Sequence, residues 1–158
     1  MKHTISVTVE NRFGVLSRVV GLFSGRGFNI ESLSVGETID PEISRITIVT
    51  RGDDRIIEQV TKQLRKLVDV IKVTDLTDLN FVDREMILIK INATEKNKAE
   101  ILRINEIFRG KIVDVSPASY TFLITGDEGK IQAFIKMIKP FGVKEIARTG
   151  KVAISREL

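Results

Sequence analysis

The residues that could bind a ligand are two asparagines and a glycine: Asn11, Gly14 and Asn29. The asparagines offer polar side chains, and the glycine offers an accessible backbone. Asn11 and Gly14 lie between an alternating stretch, Thr4–Glu10, and a stretch, Val15–Phe23, whose apolar residues recur three and four apart. This pattern predicts a strand, a tight turn and a helix. Glycine lets a ligand approach the backbone, and the free N–H groups of a first helical turn favour an anion. With the two amides, the segment could hold the carboxylate and ammonium of a free amino acid.

The same residues also have a purely structural interpretation. Asn11 could only form a side-chain turn before the helix, Gly14 could only relax a tight bend, and Asn29 could only tolerate an unusual φ angle. Polar turns of this kind are common. The residues alone therefore leave both interpretations open.

The elements that would position this turn follow in a regular order through the first half of the chain. Gly25 and Gly27 end the first helix, since glycine takes the left-handed C-cap conformation readily. The segments predicted after it are two strands, a helix and a strand: Ile30–Glu37, Ser44–Arg51, the helix capped at Gly52–Asp54, and Val70–Leu76. The order β-α-β-β-α-β is that of the ferredoxin-like unit.

A polar link, Thr77–Asp83, leads into a second set of the same order. Its predicted strands and helices are Arg84–Asn92, the helix Glu95–Arg109, Lys111–Ser116, Ser119–Thr125, the helix Lys130–Ile138, and Val143–Thr149. We therefore predict an α+β fold with two ferredoxin-like βαββαβ domains in tandem, residues 1–78 and 79–158. A four-stranded sheet with both helices on one face leaves the other face open, and dimerisation is a usual way to cover it.

Composition excludes several classes of protein. The chain has no cysteine, which excludes disulfides and thiolate zinc sites and fits a reducing cytoplasm. No apolar run is long enough to span a membrane, and the N-terminus does not resemble a signal peptide. The net charge of +4 resides in residues 80–158, where the lysines are spread over several elements. We expect a cytoplasmic protein that binds neither membrane nor nucleic acid.

Catalytic candidates are scarce. The single histidine, His3, is expected on a solvent-facing strand position, with no motif to orient it as a base. No P-loop, G-x-G-x-x-G, H-E-x-x-H or G-x-S-x-G sequence occurs. The acidic turn with Glu37, Asp40 and Glu42 is better interpreted as solvated than as a metal site. The third strands lack the aromatic pattern of the RNA-recognition module, although Tyr120 and Phe122 alternate in the second half.

Long motifs carry a resemblance to a known family. The first half, with ENRFGVLSRVVGLFSGRGFNIESL and DPEISRITIVT, resembles an ACT domain, a small amino-acid-binding regulatory module. Together with REMILIKI, EIFRGKIVDVSPASYTFLITG and ARTGKVAISR in the second half, it resembles the regulatory small subunit of acetolactate synthase, also called acetohydroxyacid synthase. The resemblance covers nearly the whole chain.

The resemblance implies a non-catalytic protein with no cofactor of its own. It would bind the catalytic large subunit, which carries thiamine diphosphate, FAD and magnesium, raise its activity, and confer feedback inhibition by valine in the biosynthesis of valine and isoleucine. Carried over to this sequence, the effector site comprises Asn11, Gly14, Val15 and Leu16 of one chain, closed by Asn29 and Ile30 of the other chain of a homodimer. Phe13, bulkier than expected there, would narrow the pocket or alter its affinity.

Three points stay open at this level. The apolar residues of the site do not separate valine from leucine or isoleucine, because one methylene changes binding by only ~1–3 kcal/mol. The role of residues 79–158 is not indicated by any of their side chains. A free-standing amino-acid-sensing ACT protein is the alternative function, whereas a metal-responsive regulator would need a histidine cluster that one histidine cannot form.

Overall fold

The computed structural model describes residues 1–157 and divides into two compact units. The first unit comprises Met1–Val82 together with the C-terminal segment that begins at Lys151, and the second unit is Asp83–Gly150. The second unit is thus inserted into the first along the chain. The predicted domains, 1–78 and 79–158, stay predictions, and the compact units differ from them chiefly in the placement of the last segment.

The first unit has the predicted order of strands and helices. The elements are β1 (Lys2–Glu10), α1 (Val15–Ser24), β2 (Ile30–Glu37), β3 (Ile43–Arg51), α2 (Asp54–Arg65) and β4 (Val70–Asp75). The sheet runs in the order β2-β3-β1-β4, and each neighbouring pair is antiparallel. The strand β2 therefore forms one edge of the sheet.

The second set begins earlier than predicted. Its elements are β5 (Phe81–Asn92), α3 (Lys98–Ile107), β6 (Lys111–Val115), β7 (Ser119–Gly126), α4 (Glu128–Ile138), a 3₁₀ turn at Lys139–Phe141 and β8 (Val143–Arg148). A last strand, β9 (Val152–Ser155), lies in the segment that belongs to the first unit. The sheet order is β6-β7-β5-β8, and β9 pairs with β5. These units confirm the predicted α+β class and its two ferredoxin-like βαββαβ sets.

Two predicted segments had the wrong bounds. The link Thr77–Asp83 is partly strand, because β5 already begins at Phe81. The helix predicted over Glu95–Arg109 is shorter. At its start, Asn97 Oδ1 accepts a 2.7 Å hydrogen bond from the Thr94 N–H, which favours a turn over a helix. At its end, Arg109 takes a positive φ of 55° that terminates the helix.

Alternating residues of β1 build the core of the first unit. Ile5 and Val7 are fully buried, and their face of the sheet is covered by the apolar sides of α1 and α2. The buried helical residues recur three and four apart: Val15, Val19 and Phe23 in α1, and Ile57, Val60 and Leu64 in α2. Burial of each such side chain contributes ~1.5–3 kcal/mol to stability, which holds both helices on one face.

Part of the opposite face of this sheet is also buried. Thr4 and Ser6, which alternate with Ile5 and Val7, are only 5% and 7% exposed. The strand β9 contacts β1, and Ala153 within it is 3% exposed. Just beyond β9, the Arg156 N–H donates a 2.8 Å hydrogen bond to the Asn80 carbonyl. The C-terminal segment of the same chain therefore covers part of the face that a helix-backed sheet leaves open.

The second unit repeats the packing with its own residues. Ile87, Ile89 and Ile91 of β5 are fully buried against α3 and α4. At the sheet margin, the Arg148 guanidinium donates two hydrogen bonds to the Glu85 carboxylate, of 2.5 and 3.2 Å, and this contact raises the pKa of Arg148.

Across residues 1–157, no helix is both long and apolar enough to cross a membrane.

Candidate functional site

The predicted binding turn joins β1 to α1. Gly14 stands immediately before α1 with φ 79°, in the left-handed region that glycine adopts without strain. A Cβ built on Gly14 would lie 3.2 Å from Arg18 Nη1, so the guanidinium covers this glycine closely. The residue type at Gly14 is thus required by the backbone conformation of the turn, in addition to any role in binding.

The first turn of α1, like that of α3, lacks the side-chain cap that α2 and α4 have. Asp53 caps α2 by accepting a 2.8 Å hydrogen bond from the Arg55 N–H, and Asp127 caps α4 by accepting one of 2.9 Å from the Lys130 N–H. Within the described residues no side chain caps α1, and its first turn contains no acidic residue. The Val15 N–H makes a long 3.4 Å hydrogen bond to the Arg12 carbonyl, whereas the other N–H groups of this turn and the positive end of the helix dipole are available to an anion.

Asn11 is fixed by contacts with the β2–β3 hairpin. Its Nδ2 donates to Glu37 Oε1 at 3.2 Å and to the Pro41 carbonyl at 2.9 Å, and its backbone N–H donates to the Glu42 carbonyl at 2.7 Å. The amide donors of Asn11 are thus used within the chain. Its Oδ1 accepts no hydrogen bond from any described residue and is the atom available to a ligand donor.

Asn29 and Ile30 lie at the other end of the sheet. Ile30 pairs with Thr50, which in turn pairs with His3 at the start of β1, and the Asn29 carbonyl accepts a 2.7 Å hydrogen bond from Thr50 Oγ1. Asn11, in contrast, follows the last residue of β1. At ~3.3 Å per residue, roughly 26 Å separates the two ends of this strand. One chain therefore does not bring Asn11 and Asn29 together.

The remaining predicted site residues divide between core and surface. Val15 is 3% exposed and anchors α1 in the core, so only its backbone could face a ligand. Leu16 is 40% exposed and offers apolar surface beside the turn. Phe13 is fully exposed, and in a single chain it narrows no pocket. Gly14, Val15 and Leu16 are thus adjacent, as their sequence positions require, and each contributes a different group.

A concave surface of about 340 Å³ lies beside the turn and is lined by Asn11. Its other lining residues are Glu10, Arg12, Asp40, Glu42, Ile43 and Ile71. Three carboxylates against one guanidinium give this surface a negative balance, which favours a cationic group. Among residues 1–157, no three or more His, Asp or Glu side chains are arranged to hold a metal ion.

Sequence reasoning missed two sets of polar contacts in the first unit, one beside the turn and one at the other end of β1. Arg18 Nη2 lies 2.5 Å from Asp69 Oδ2, which joins α1 to the loop between α2 and β4. His3 is 4% exposed, so the expectation of a solvent-facing histidine was wrong. Its position follows from the alternation of β1, because His3 shares the core-facing side with Ile5 and Val7.

The buried ring of His3 lies between two acidic side chains. Its Nδ1 is 3.1 Å from Asp75 Oδ2, and its Nε2 is 3.0 Å from Asp54 Oδ1. These contacts satisfy both ring nitrogens and tie β1 to α2 and to the end of β4. The histidine thus has a structural role that its surroundings explain.

Comparisons with known proteins agree along the whole chain. Residues 5–72 match the family described as the AHAS small subunit-like ACT domain, and residues 84–157 match the family described as the small subunit of acetolactate synthase. A crystal structure of the acetolactate synthase small subunit from Thermotoga maritima is 48% identical, with a TM-score of 0.90, covering 100% of this chain and 99% of that one.

Two relatives from other organisms extend the comparison. The acetolactate synthase small subunit of Aquifex aeolicus is 58% identical over 158 residues, which are 99% of this chain and 82% of the relative. The small subunit of acetolactate synthase isozyme 3 of Escherichia coli is 49% identical over 157 residues, 99% of this chain and 96% of the relative. By sequence and by structure, the chain belongs to the family of acetolactate synthase small subunits, the regulatory and non-catalytic partners of that enzyme.

Proposed function

We propose that this chain raises the activity of a catalytic large subunit of acetolactate synthase and makes it sensitive to valine. The observation that carries the proposal is the uncapped first turn of α1 behind the left-handed Gly14. Exposed backbone N–H groups at a helix N-terminus favour a carboxylate by ~0.3–1 kcal/mol, and by more when the site is partly buried. A free amino acid supplies such a carboxylate.

Pairing of two chains through β2 would complete the site. An edge strand has one row of unpaired backbone groups, and a two-fold axis would pair β2 of each chain antiparallel with its copy. The Glu37 end of one strand would then meet the Ile30 end of the other. Because Asn11 contacts Glu37, this arrangement would bring the partner subunit's Asn29 and the partner subunit's Ile30 towards the turn. We therefore propose a homodimer with an effector site shared between its first units.

The charges beside the turn suit a zwitterion. We propose that the N–H groups at Gly14, Val15 and Leu16 take the carboxylate of the effector. The negative balance of the concave surface beside Asn11 would attract the ammonium group, and Asn11 Oδ1 would accept a hydrogen bond from it. The half-exposed Leu16 and the partner subunit's Ile30 would contact an aliphatic side chain. These groups fit valine, the effector that the family resemblance implies.

Control of the enzyme would follow from coupling between two sites. Valine must bind one arrangement of the paired subunits more tightly than another, and a difference of ~1–3 kcal/mol gives strong control. The large subunit would supply thiamine diphosphate, FAD and magnesium, and the reaction would belong to cytoplasmic biosynthesis of valine and isoleucine. Linkage requires that the large subunit change the valine affinity by the same factor by which valine changes large-subunit binding.

Calorimetric titration of the purified chain with valine tests this proposal. Saturable binding that is lost in Asn29→Ala, but retained in the control Asn80→Ala of the same unit, would support the shared site. The titration is repeated with the large subunit present. A valine affinity that the large subunit leaves unchanged would contradict allosteric control and favour the free-standing sensor. Absence of valine binding in both titrations would overturn the proposal.

A further inference from the structure

A second concave surface lies on the helical side of the first unit, between the C-terminal end of α1 and the second half of α2. It is an open groove with a volume of about 460 Å³. It is lined by Arg26, Gln59, Lys62, Gln63, Arg65 and Lys66. We call it the basic groove. Four of its six lining residues are cationic, two are amides, and none is acidic.

Most of these cations are not neutralised by the protein. Lys62 Nζ lies 3.0 Å from Glu58 Oε1, but both side chains are well exposed, so this pair is weak. Arg26 Nη1 and Arg65 Nη2 make long hydrogen bonds to backbone carbonyls, at 3.5 Å to Leu22 and 3.4 Å to Val73. Within the part of the chain that the structure describes, no carboxylate lies within 4.0 Å of Arg26, Arg65 or Lys66.

The helix dipole explains only part of this arrangement. Cations in the last turn of α2 complement its negative end, which accounts for Lys62 and Arg65. Arg26 stands just past the C-terminus of α1 and donates to the Leu22 carbonyl, so the dipole favours a cation there too. What the dipoles do not require is that cations from two different helix ends line one groove. Like charges that converge on one concavity repel each other and raise its local potential. An anion bound in the groove would relieve that repulsion.

We propose that the basic groove binds a small anion with two or more neighbouring negative groups, of the diphosphate class. Guanidinium groups bind phosphate oxygens through two parallel hydrogen bonds, and the amides of Gln59 and Gln63 add neutral donors. The groove is separate from the proposed effector site, since Arg26 follows the end of α1 whereas Gly14 precedes its start. The inference therefore does not depend on valine binding.

Calorimetric titration with pyrophosphate, at about 0.15 M ionic strength to screen weak surface attraction, tests the inference. The test variant is Arg26→Gln/Lys66→Gln, and the control is Lys96→Gln/Lys139→Gln in the second unit. Both double variants lower the formal net charge of +4 by two, and all four side chains are exposed, so the fold is retained. The wild type and the control are expected to bind pyrophosphate saturably, and the test variant about tenfold or more weakly.

Three results would overturn the inference. The first is absence of saturable pyrophosphate binding by the wild type. The second is equal weakening in both double variants, which would show attraction to net charge alone. The third is binding of an acidic peptide such as oligoglutamate, competed by neither pyrophosphate nor orthophosphate, which would identify the groove as a protein-docking surface instead.

Discussion

The backbone N–H of Lys151 donates a 2.9 Å hydrogen bond to Ser32 Oγ, across 119 residues of sequence. Ser32 belongs to β2 of the first unit, and Lys151 begins the segment that returns to that unit after the second unit is complete. Lys151 is 8% exposed and Ala153 is 3% exposed. The segment from Lys151 to β9 is therefore part of the folded first unit.

Truncation after Gly150 is expected to destabilise the first unit. Loss of β9 exposes Thr4 and Ser6, removes the contact with Ser32, and costs about 1–3 kcal/mol. Hydrogen exchange of the β1 and β3 amides measures the effect, and the β6 and β7 amides of the second unit are the internal control. Unchanged protection of the β1 and β3 amides in the truncated chain would show that β9 does not stabilise the first unit.

Gly14→Ala is expected to lower stability by about 1–2 kcal/mol, because alanine is strained at a φ of 79°. The matched control is Gly21→Ala in the same helix, where an added Cβ meets no atom within 4 Å. That change should stabilise the protein, since alanine favours a helix by up to ~1 kcal/mol over glycine. Urea denaturation of both variants gives the two free energies of unfolding, and shifts of the same sign would contradict the prediction.

Gly110→Ala should be severely destabilising, by about 2 kcal/mol or more, through overpacking. The new Cβ would lie 2.0 Å from Asn105 Oδ1 and 2.2 Å from Ile124 Cδ1, and both side chains belong to the packed second unit. The control, Gly129→Ala in α4, places its Cβ at an ordinary 3.6 Å from Asp127 Oδ1. Thermal unfolding compares them, and equal midpoints would show that the loop at Gly110 relaxes freely.

Arg18→Met should cost about 1–3 kcal/mol, because it leaves the Asp69 carboxylate, only 14% exposed, without its cation. Asp69→Asn should cost less, since an amide oxygen still accepts from the guanidinium. Arg103→Met is the control. It breaks a more exposed pair with Glu100 in α3, worth about 0.5 kcal/mol or less. Chemical denaturation measures the loss in free energy of unfolding for each variant. A larger loss for Arg103→Met than for Arg18→Met would show that the Arg18–Asp69 pair does not stabilise the binding turn.

Strong periodicity explains why most elements were predictable. The strand Ile30–Glu37 was predicted with the bounds of β2, and the helices of the first unit follow from apolar residues spaced three and four apart. The strand β9 was not predicted, and the start of β5 at Phe81 was assigned to a link. Both segments are short, and β9 pairs with β5. Such long-range pairing sets their strand conformation and cannot be inferred from the local sequence.

The candidate site was only partly predictable for the same reason. The sequence indicated the turn at Gly14, because a glycine between an alternating strand and a helical stretch is a local signal. The contact of Asn11 with Glu37 joins residues 26 positions apart, and the Arg18–Asp69 pair joins residues 51 apart. Such contacts follow from the register of the sheet rather than from sequence spacing. The face occupied by His3, in contrast, could have been predicted from the alternation of β1.

The most direct test of the central proposal is valine titration of mixed dimers. Asn11→Ala and Asn29→Ala chains are each titrated alone and then after unfolding and refolding as an equal mixture. If the site is shared, each variant alone binds poorly. Random mixing makes about half of the dimers mixed, and one of their two sites carries neither substitution, so about a quarter of the sites should recover wild-type affinity. No recovery in a mixture shown to contain mixed dimers would contradict a valine site built from two chains.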